Sequence, residues 1–343
     1  MTMKATDRRP LGRTKLKVTV LGLGTATLGN LYAPVSDADA HDTVKTAFDA
    51  GVRFVDTAPF YGHGWSEHRV GEAMRSYERD DIVLSTKIGR LLKPKDPGKA
   101  IGSGVFAAVL PFEPVFDYSY DGVMRSVDDS LQRLGTHRID VLLIHDVDRW
   151  THGSQEVSDG RMKEVLEGGY KAMVKLRESG AVGAIGAGLN EWDTCQKLAE
   201  RSDLDCFLLA GRYTLLEQES LQTFLPLCVK RNIGIFLGGP YNTGILATGA
   251  VPGAYYDYKP ARPDILERVR KLEAVCQRHK VTLASAALQF PLAHPAVCSV
   301  IPGAKSAAEV KRNIATIEAP IPTEFWAELK RETLIADAAP VPA

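Results

Sequence analysis

The sequence has no surplus of charge: 42 Lys and Arg residues offset 42 Asp and Glu, so no net field draws the chain to nucleic acid or to an anionic membrane surface. No basic stretch is interleaved with aromatic residues either, and the expected partner is a small molecule. No apolar run approaches 18 residues, and Met1–Arg9 holds no apolar segment, so neither a membrane span nor export is expected. The five cysteines (Cys195, Cys206, Cys228, Cys276, Cys298) are odd in number and lack Cys-x-x-Cys spacing. That argues against a disulfide framework and suits reduced thiols in a cytoplasmic protein. There is no His-Glu-x-x-His, no EF-hand loop and no Ser or Cys nucleophile motif, and no metal is expected. GLGTATLG (22–29) imitates a dinucleotide phosphate loop, yet Thr27 stands where its third glycine belongs. Nothing in the sequence specifies an oligomer.

What the chain does have is alternation. With 45% hydrophobic residues over 343 positions it can bury a large core. Eight apolar segments read as strands: 18–24, 52–56, 81–87, 140–145, 181–188, 206–211, 232–238 and 297–303. Helical patterns lie between them, at 36–50 with Ser36 as N-cap, 66–77, 121–135 and 162–180 with Gly180 as the stop. Strands too apolar to have a wet face, each followed by a helix, predict an α/β fold of the (β/α)8 TIM-barrel type. One domain over 1–343 is expected, with an N-terminal β-hairpin in 10–20 closing the barrel floor and a loose C-terminal tail over 335–343. A barrel needs about 250 residues. The surplus falls in 88–118, 146–160 and 239–260, long loops that follow strands and so wall the C-terminal face.

Reading the residue at each strand's C-terminal end gives Gly24 and Thr25, then Asp56, Lys87 and His145, with Asn190 just past the fifth strand. Barrel strand ends converge on one mouth, so three ionisable groups far apart in sequence can meet there, with Tyr61 reaching back from its loop. A phenol titrates near 10 and carries protons poorly at neutral pH unless a cation stabilises its anion; Lys87 beside Asp56 is the expected cation. Such a group moves a proton to or from a carbinol oxygen, and the electron pair then has to come from a cofactor, most simply as hydride. A Schiff base on Lys87 is the rival chemistry.

The motifs DTAPFYG (56–62), STK (85–87), LLIH (142–145), GAGLN (186–190) and IPGAKS (301–306) resemble those of the aldo-keto reductase superfamily, in order, across residues 10 to 320. The resemblance implies Tyr61 as general acid and base, Lys87 and Asp56 as the pair that lowers its pKa, and His145 as the residue orienting substrate. It also implies NAD or NADP as cofactor. Cofactor contacts are expected at Gly24, Thr25, Asp56, Asn190, Gly238, Pro240, Tyr241, Asn242 and Gly244, with Asn190 holding the nicotinamide amide and Tyr241 and Asn242 supplying part of the ring clamp that Ala210 and Gly238 lack. The cofactor's adenosine would lie near Gly303, Lys305, Ser306, Glu309, Arg312 and Asn313. Gly303 and Glu309 occupy places where relatives preferring NADP carry Lys and Arg, which points to NAD. Substrate is expected to touch Tyr61, Trp65 and His145. Three further segments, 116–135, 186–192 and 209–218, are similar to the bacterial aldose 1-dehydrogenases and pyridoxal 4-dehydrogenases. They imply oxidation of a sugar hemiacetal, such as L-fucose or a D-threo-aldose, to its lactone in carbohydrate metabolism. Pyridoxal 4-dehydrogenase activity, or NAD(P)H-dependent reduction of aldehydes and ketones, would use the same four residues. A non-catalytic nicotinamide-binding barrel is the remaining reading.

Overall fold

The computed structural model describes residues 3–96, 98, 102 and 104–342. The other positions of the expected 88–118 loop, and Ala343 of the expected tail, lie outside the described residues.

Eight parallel strands run side by side in chain order: β1 (Leu23–Gly24), β2 (Phe54–Asp56), β3 (Val83–Ile88), β4 (Ile139–His145), β5 (Val182–Leu189), β6 (Cys206–Ala210), β7 (Gly234–Gly238) and β8 (Val297–Ile301). The sheet closes on itself where Gly22 N donates to Val300 O and Val300 N to Val20 O, both at 2.9 Å. Helices cover the outside, so both strand faces are buried and neither carries a polar alternation. Period two decides what points inward. Phe54, Val141, Leu143, Cys206, Leu208, Phe236 and Ile301 form the inner cluster, whereas Val55, Leu142 and Ile144 belong to the layer under the helices. Two positions beyond Phe54 stands Asp56, two beyond Ser85 stands Lys87, and two beyond Leu143 stands His145. The inward phase that packs the barrel thus delivers three ionisable groups to its mouth.

The expected first strand, 18–24, is divided. Lys17–Thr19 pairs antiparallel with Arg8–Pro10, Arg8 opposite Thr19, and only Leu23–Gly24 joins the barrel. The hairpin therefore starts two residues before the expected 10–20. Its Leu11 and Val18 plug the inner cluster from below, and Gly12, at φ +50°, is the residue that lets the turn lie 2.5 Å (virtual Cβ to oxygen) from Asn232 O. Ser36 caps the helix Asp37–Asp49 by accepting from Asp39 N at 3.1 Å, and Gly180, at φ +78°, follows the end of Tyr170–Glu178. The 162–180 helix starts earlier than its periodicity suggests: Ser154 caps Gln155–Glu164, and a π-helical turn, Val165–Gly169, joins it to Tyr170–Glu178.

The tail is a correction. Leu334, Ile335 and Ala339 are buried, and Ala336 N donates to Gln218 Oε1 at 2.7 Å. Spaced apolar side chains find the groove beside helix Pro263–His279, where Arg268 donates to Leu334 O at 3.1 Å.

All three surplus loops lie over the mouth. The first contains the antiparallel pair Arg90–Pro94 and Phe112–Phe116, the second the short helix Arg149–His152, and the third the hairpin Tyr255–Tyr256 with Lys259–Pro260. Trp150 from the second meets Tyr258 from the third, ring centroids 5.2 Å apart.

Candidate active site

Asp56, Tyr61, Lys87 and His145 come together at one end of a cavity of about 340 Å3. Lys87 Nζ donates to Asp56 Oδ2 at 2.6 Å and to Thr57 O at 2.7 Å, and Ser85 donates to Asp56 Oδ1 at 2.8 Å. The ammonium lies 4.7 Å from the Tyr61 ring centroid, and the Tyr61 and His145 rings meet edge to face at 5.9 Å. Aromatic side chains form much of the remaining wall: Phe60, Phe106, Trp150 and Tyr258.

Electrostatics depart from expectation. Burial pushes the Tyr61 phenol well above its ordinary value, Asp56 and Asp146 add to the rise, and the opposing cation is Arg90. The Lys87 charge is matched by Asp56 at 2.6 Å, so the pair offers the phenol little net positive charge. Burial also raises the Asp56 carboxyl, with Lys87 pulling it back. His145 is held well below its ordinary value by burial, then by Arg90 and Lys87, so its imidazole is neutral at pH 7.

Three residues around this cluster were not singled out from the sequence. Asp146, at φ +50°, turns its carboxylate back towards the mouth, where it lies 3.3 Å from His145 Nε2 and accepts from Arg90 at 2.9 Å and from Asn190 Nδ2 at 3.2 Å. Burial brings its pKa up to about 6, with Arg90 opposing. Tyr118 donates to His145 O at 2.6 Å and fixes the end of β4. Its ring occupies the space of a missing side chain: a Cβ on Gly89 (φ +106°) would fall 2.2 Å from it. The glycine and Arg90 directly follow β3, which was the available signal.

Other predicted residues fall in two groups. Trp65 does not line the cavity; as the first residue of the helix Trp65–Met74 it donates to Asp37 at 3.3 Å and lies against Arg69, 4.7 Å from its guanidinium. Thr25 is fully buried, its hydroxyl donating to Asp56 O at 2.8 Å, so its side chain braces β2.

The segments after β7 and β8 are brought together, Tyr241 donating to Asn313 Oδ1 at 3.0 Å, and Gly24 bridges to Gly303. Asn242 Nδ2 donates to Gly211 O at 3.1 Å, while its Oδ1 is buried without a partner among the described residues. A Cβ added to Gly244 (φ +104°) would meet nothing within 4 Å. Beside them the helix Ala307–Glu318 opens on a capping box: Ser306 accepts from Glu309 N at 3.3 Å, and the Glu309 carboxylate accepts from Lys305 N at 2.9 Å. Open glycine backbone and a helix N-terminus suit the anionic phosphates of a dinucleotide, and the orphaned Asn242 Oδ1 can accept from one of its hydroxyl or carboxamide donors.

A barrel with Asp56, Tyr61, Lys87 and His145 gathered at its mouth, and with open glycine backbone and a helix N-terminus after its last two strands, suits a nicotinamide-dependent oxidoreductase. The chain belongs to the aldo/keto reductase family, whose model matches residues 20–332. It is 44% identical over 345 residues to pyridoxal 4-dehydrogenase of Microbacterium luteolum, covering 98% of this chain and 100% of that one. It is 35% identical over 324 residues to D-threo-aldose 1-dehydrogenase of a Pseudomonas species, covering 93% and 95%. Among solved structures it is similar to a holo-form aldo-keto reductase of Bacillus halodurans, with a TM-score of 0.74 and 25% identity over 97% of this chain and 98% of that one. The family uses nicotinamide cofactors. Among the described residues no helix is long and apolar enough to cross a membrane.

Proposed function

We propose that the protein oxidises a cyclic hemiacetal to its lactone, and that pyridoxal, whose aldehyde closes onto its neighbouring hydroxymethyl group, is the substrate. The observation that carries this reading is the cavity itself. Phe60, Phe106, Trp150 and Tyr258 line it with aromatic surface for a flat heteroaromatic ring, together with Tyr61 and His145. The 44% identity to a pyridoxal 4-dehydrogenase supports the same order of preference, which reverses the sequence expectation of an aldose. Aldose oxidation is the second reading, favoured by the 35% relative and by the polar edge of Asp146 and Asn190.

In this reading the neutral His145 holds the hemiacetal oxygen and Tyr61, as phenolate, takes its proton. Lys87 and Asp56 keep the floor of the site rigid beneath the ring. A bound oxidised nicotinamide would supply the hydride acceptor for the hemiacetal carbon, so that lactone and reduced cofactor would form one to one. Gly244, Asn242 and the first turn of Ala307–Glu318 would hold it. NAD is the preferred form, because the Glu309 carboxylate at that turn would repel a 2′-phosphate. The free, buried cysteines suit a reducing cytoplasm.

The test is turnover of pyridoxal with NAD, with the product identified by mass. A lactone formed in step with absorbance at 340 nm is expected. Turnover of aldoses with none of pyridoxal would establish the second reading, and turnover only of open-chain carbonyls with reduced cofactor would contradict both.

A further inference from the structure

Arg90 is the group in the cavity wall whose chemistry the four predicted residues leave unused. Its side chain is 6% exposed. The guanidinium lies 4.3 Å from the Phe60 ring centroid and 4.6 Å from that of Phe116, and Nη2 donates to Asp146 Oδ2 at 2.9 Å. Two rings and a carboxylate thus fix the plane of the fork. Yet Nη1 is buried and has no hydrogen-bond partner among the described residues. A buried cationic donor left unmet costs more than a neutral one, so a site that retains it has an acceptor to offer from outside the chain.

Of the other polar groups of the wall, the Thr151 hydroxyl is also buried without a partner among the described residues, but it carries no charge. Lys87 spends two of its three donors on Asp56 and Thr57, and Asn190 donates to Asp146. His145 is neutral. Lys87 keeps its third donor near the Tyr61 ring, 4.7 Å from the ring centroid, and Arg90 is the other lining cation with a donor unmet among the described residues; it stands beside Phe60, a ring of the cavity wall. A guanidinium is suited to an anionic oxygen lying in the plane of such a ring. Pyridoxal has one: the 3-oxygen, next to the carbon that bears the hemiacetal, is a phenol made acidic by the charged ring nitrogen.

Resting on the pyridoxal reading above, we propose that Arg90 is the specificity-determining residue of this site, donating to the 3-oxygen of the substrate ring and thereby setting which edge of the ring carries the hemiacetal to Tyr61.

The experiment compares kcat/KM for pyridoxal and for its 3-deoxy analogue in wild type, Arg90→Met and Arg90→Lys. NAD affinity is measured by fluorescence titration in each. A hydrogen bond to a charged group corresponds to a preference of roughly 10- to 150-fold for the 3-hydroxyl compound in wild type. That preference is expected to collapse towards one in Arg90→Met and to fall partway in Arg90→Lys, which keeps the charge but not the fork, with the NAD Kd unchanged in both. A binding readout accompanies it: 4-deoxypyridoxine, which cannot be oxidised, should show the phenolate absorbance band when bound to wild type and lose it in Arg90→Met. Should Arg90→Met fail to fold by circular dichroism, Arg90→Lys carries both readouts. An undiminished preference in the variants, or none in wild type, overturns the assignment of Arg90. Failure of wild type to oxidise either pyridine, with aldoses turned over, instead overturns the pyridoxal reading and the proposal with it.

Discussion

The Lys87 ammonium donates to Asp56 Oδ2 at 2.6 Å, with 1% of one side chain and 3% of the other exposed to solvent. This sealed pair neutralises itself, so Lys87 braces the floor under Tyr61 instead of lending the phenol a net positive charge. Breaking a buried pair leaves one ion uncompensated and costs about 3–5 kcal/mol, whereas removing both partners is far closer to neutral. Lys87→Met should therefore destabilise strongly and Lys87→Met with Asp56→Asn much less, measured by urea unfolding. Additive losses would show that the two groups act separately.

Because burial, Asp56 and Asp146 hold the Tyr61 phenol well above its ordinary value, its basic form is scarce at neutral pH. Oxidation consumes that form. kcat for oxidation is expected to rise through the alkaline range without levelling off below about pH 10, followed at 340 nm under saturating NAD. A maximum below neutrality would contradict Tyr61 as the base.

His145 carries a stability signature. Its folded pKa lies well below the unfolded value near 6.5, so below that pH the unfolded chain binds the proton and the folded chain does not. The contribution is fully present above about pH 6.5 and is lost as the pH falls beneath it. Asp146, raised to about 6, works in the opposite sense: its contribution is greatest below its unfolded value and is lost as the pH rises through about 6. Replacing only the histidine isolates its share. The fall in Tm from pH 7.5 to pH 5 should be smaller in His145→Gln than in wild type; an unchanged fall would mean that the imidazole is protonated in the folded state.

In the proposed function, cofactor choice turns on Glu309. Its carboxylate accepts from Lys305 N at the start of the helix Ala307–Glu318, and a 2′-phosphate there would meet it directly. The Kd for NAD, from fluorescence titration, should be lower than that for NADP, and Glu309→Gln should narrow the gap. Tighter NADP binding that disappears in Lys305→Ala would contradict this assignment.

Most of this site was legible because barrel geometry converts strand ends into neighbours. Asp56, Lys87 and His145 could be placed at one mouth because each ends a predicted strand, with no tertiary information. Tyr61 followed from its motif. Arg90 and Asp146 were missed because each lies just past a strand, where period two no longer says where a side chain points. Asp146 returns to the mouth only through its positive φ, and Arg90 only through the rings of Phe60 and Phe116, the latter from a segment 26 positions downstream. Trp65 was misplaced for a related reason: proximity in sequence to Tyr61 does not survive the start of a helix at that residue. The tail over 335–342 was misread because small and proline residues suggest disorder, although the spacing of Leu334, Ile335 and Ala339 matches a groove that no local pattern reveals.

The most direct test is the turnover of pyridoxal by Tyr61→Phe, followed at 340 nm with NAD, together with the Kd for NAD of that variant. Loss of the proton acceptor alone should lower kcat by roughly 10²- to 10⁴-fold, with cofactor affinity unchanged. Turnover near that of wild type would contradict the account, because it would show that another group of the cavity, the neutral His145 or the Asp146 carboxylate, takes the proton instead.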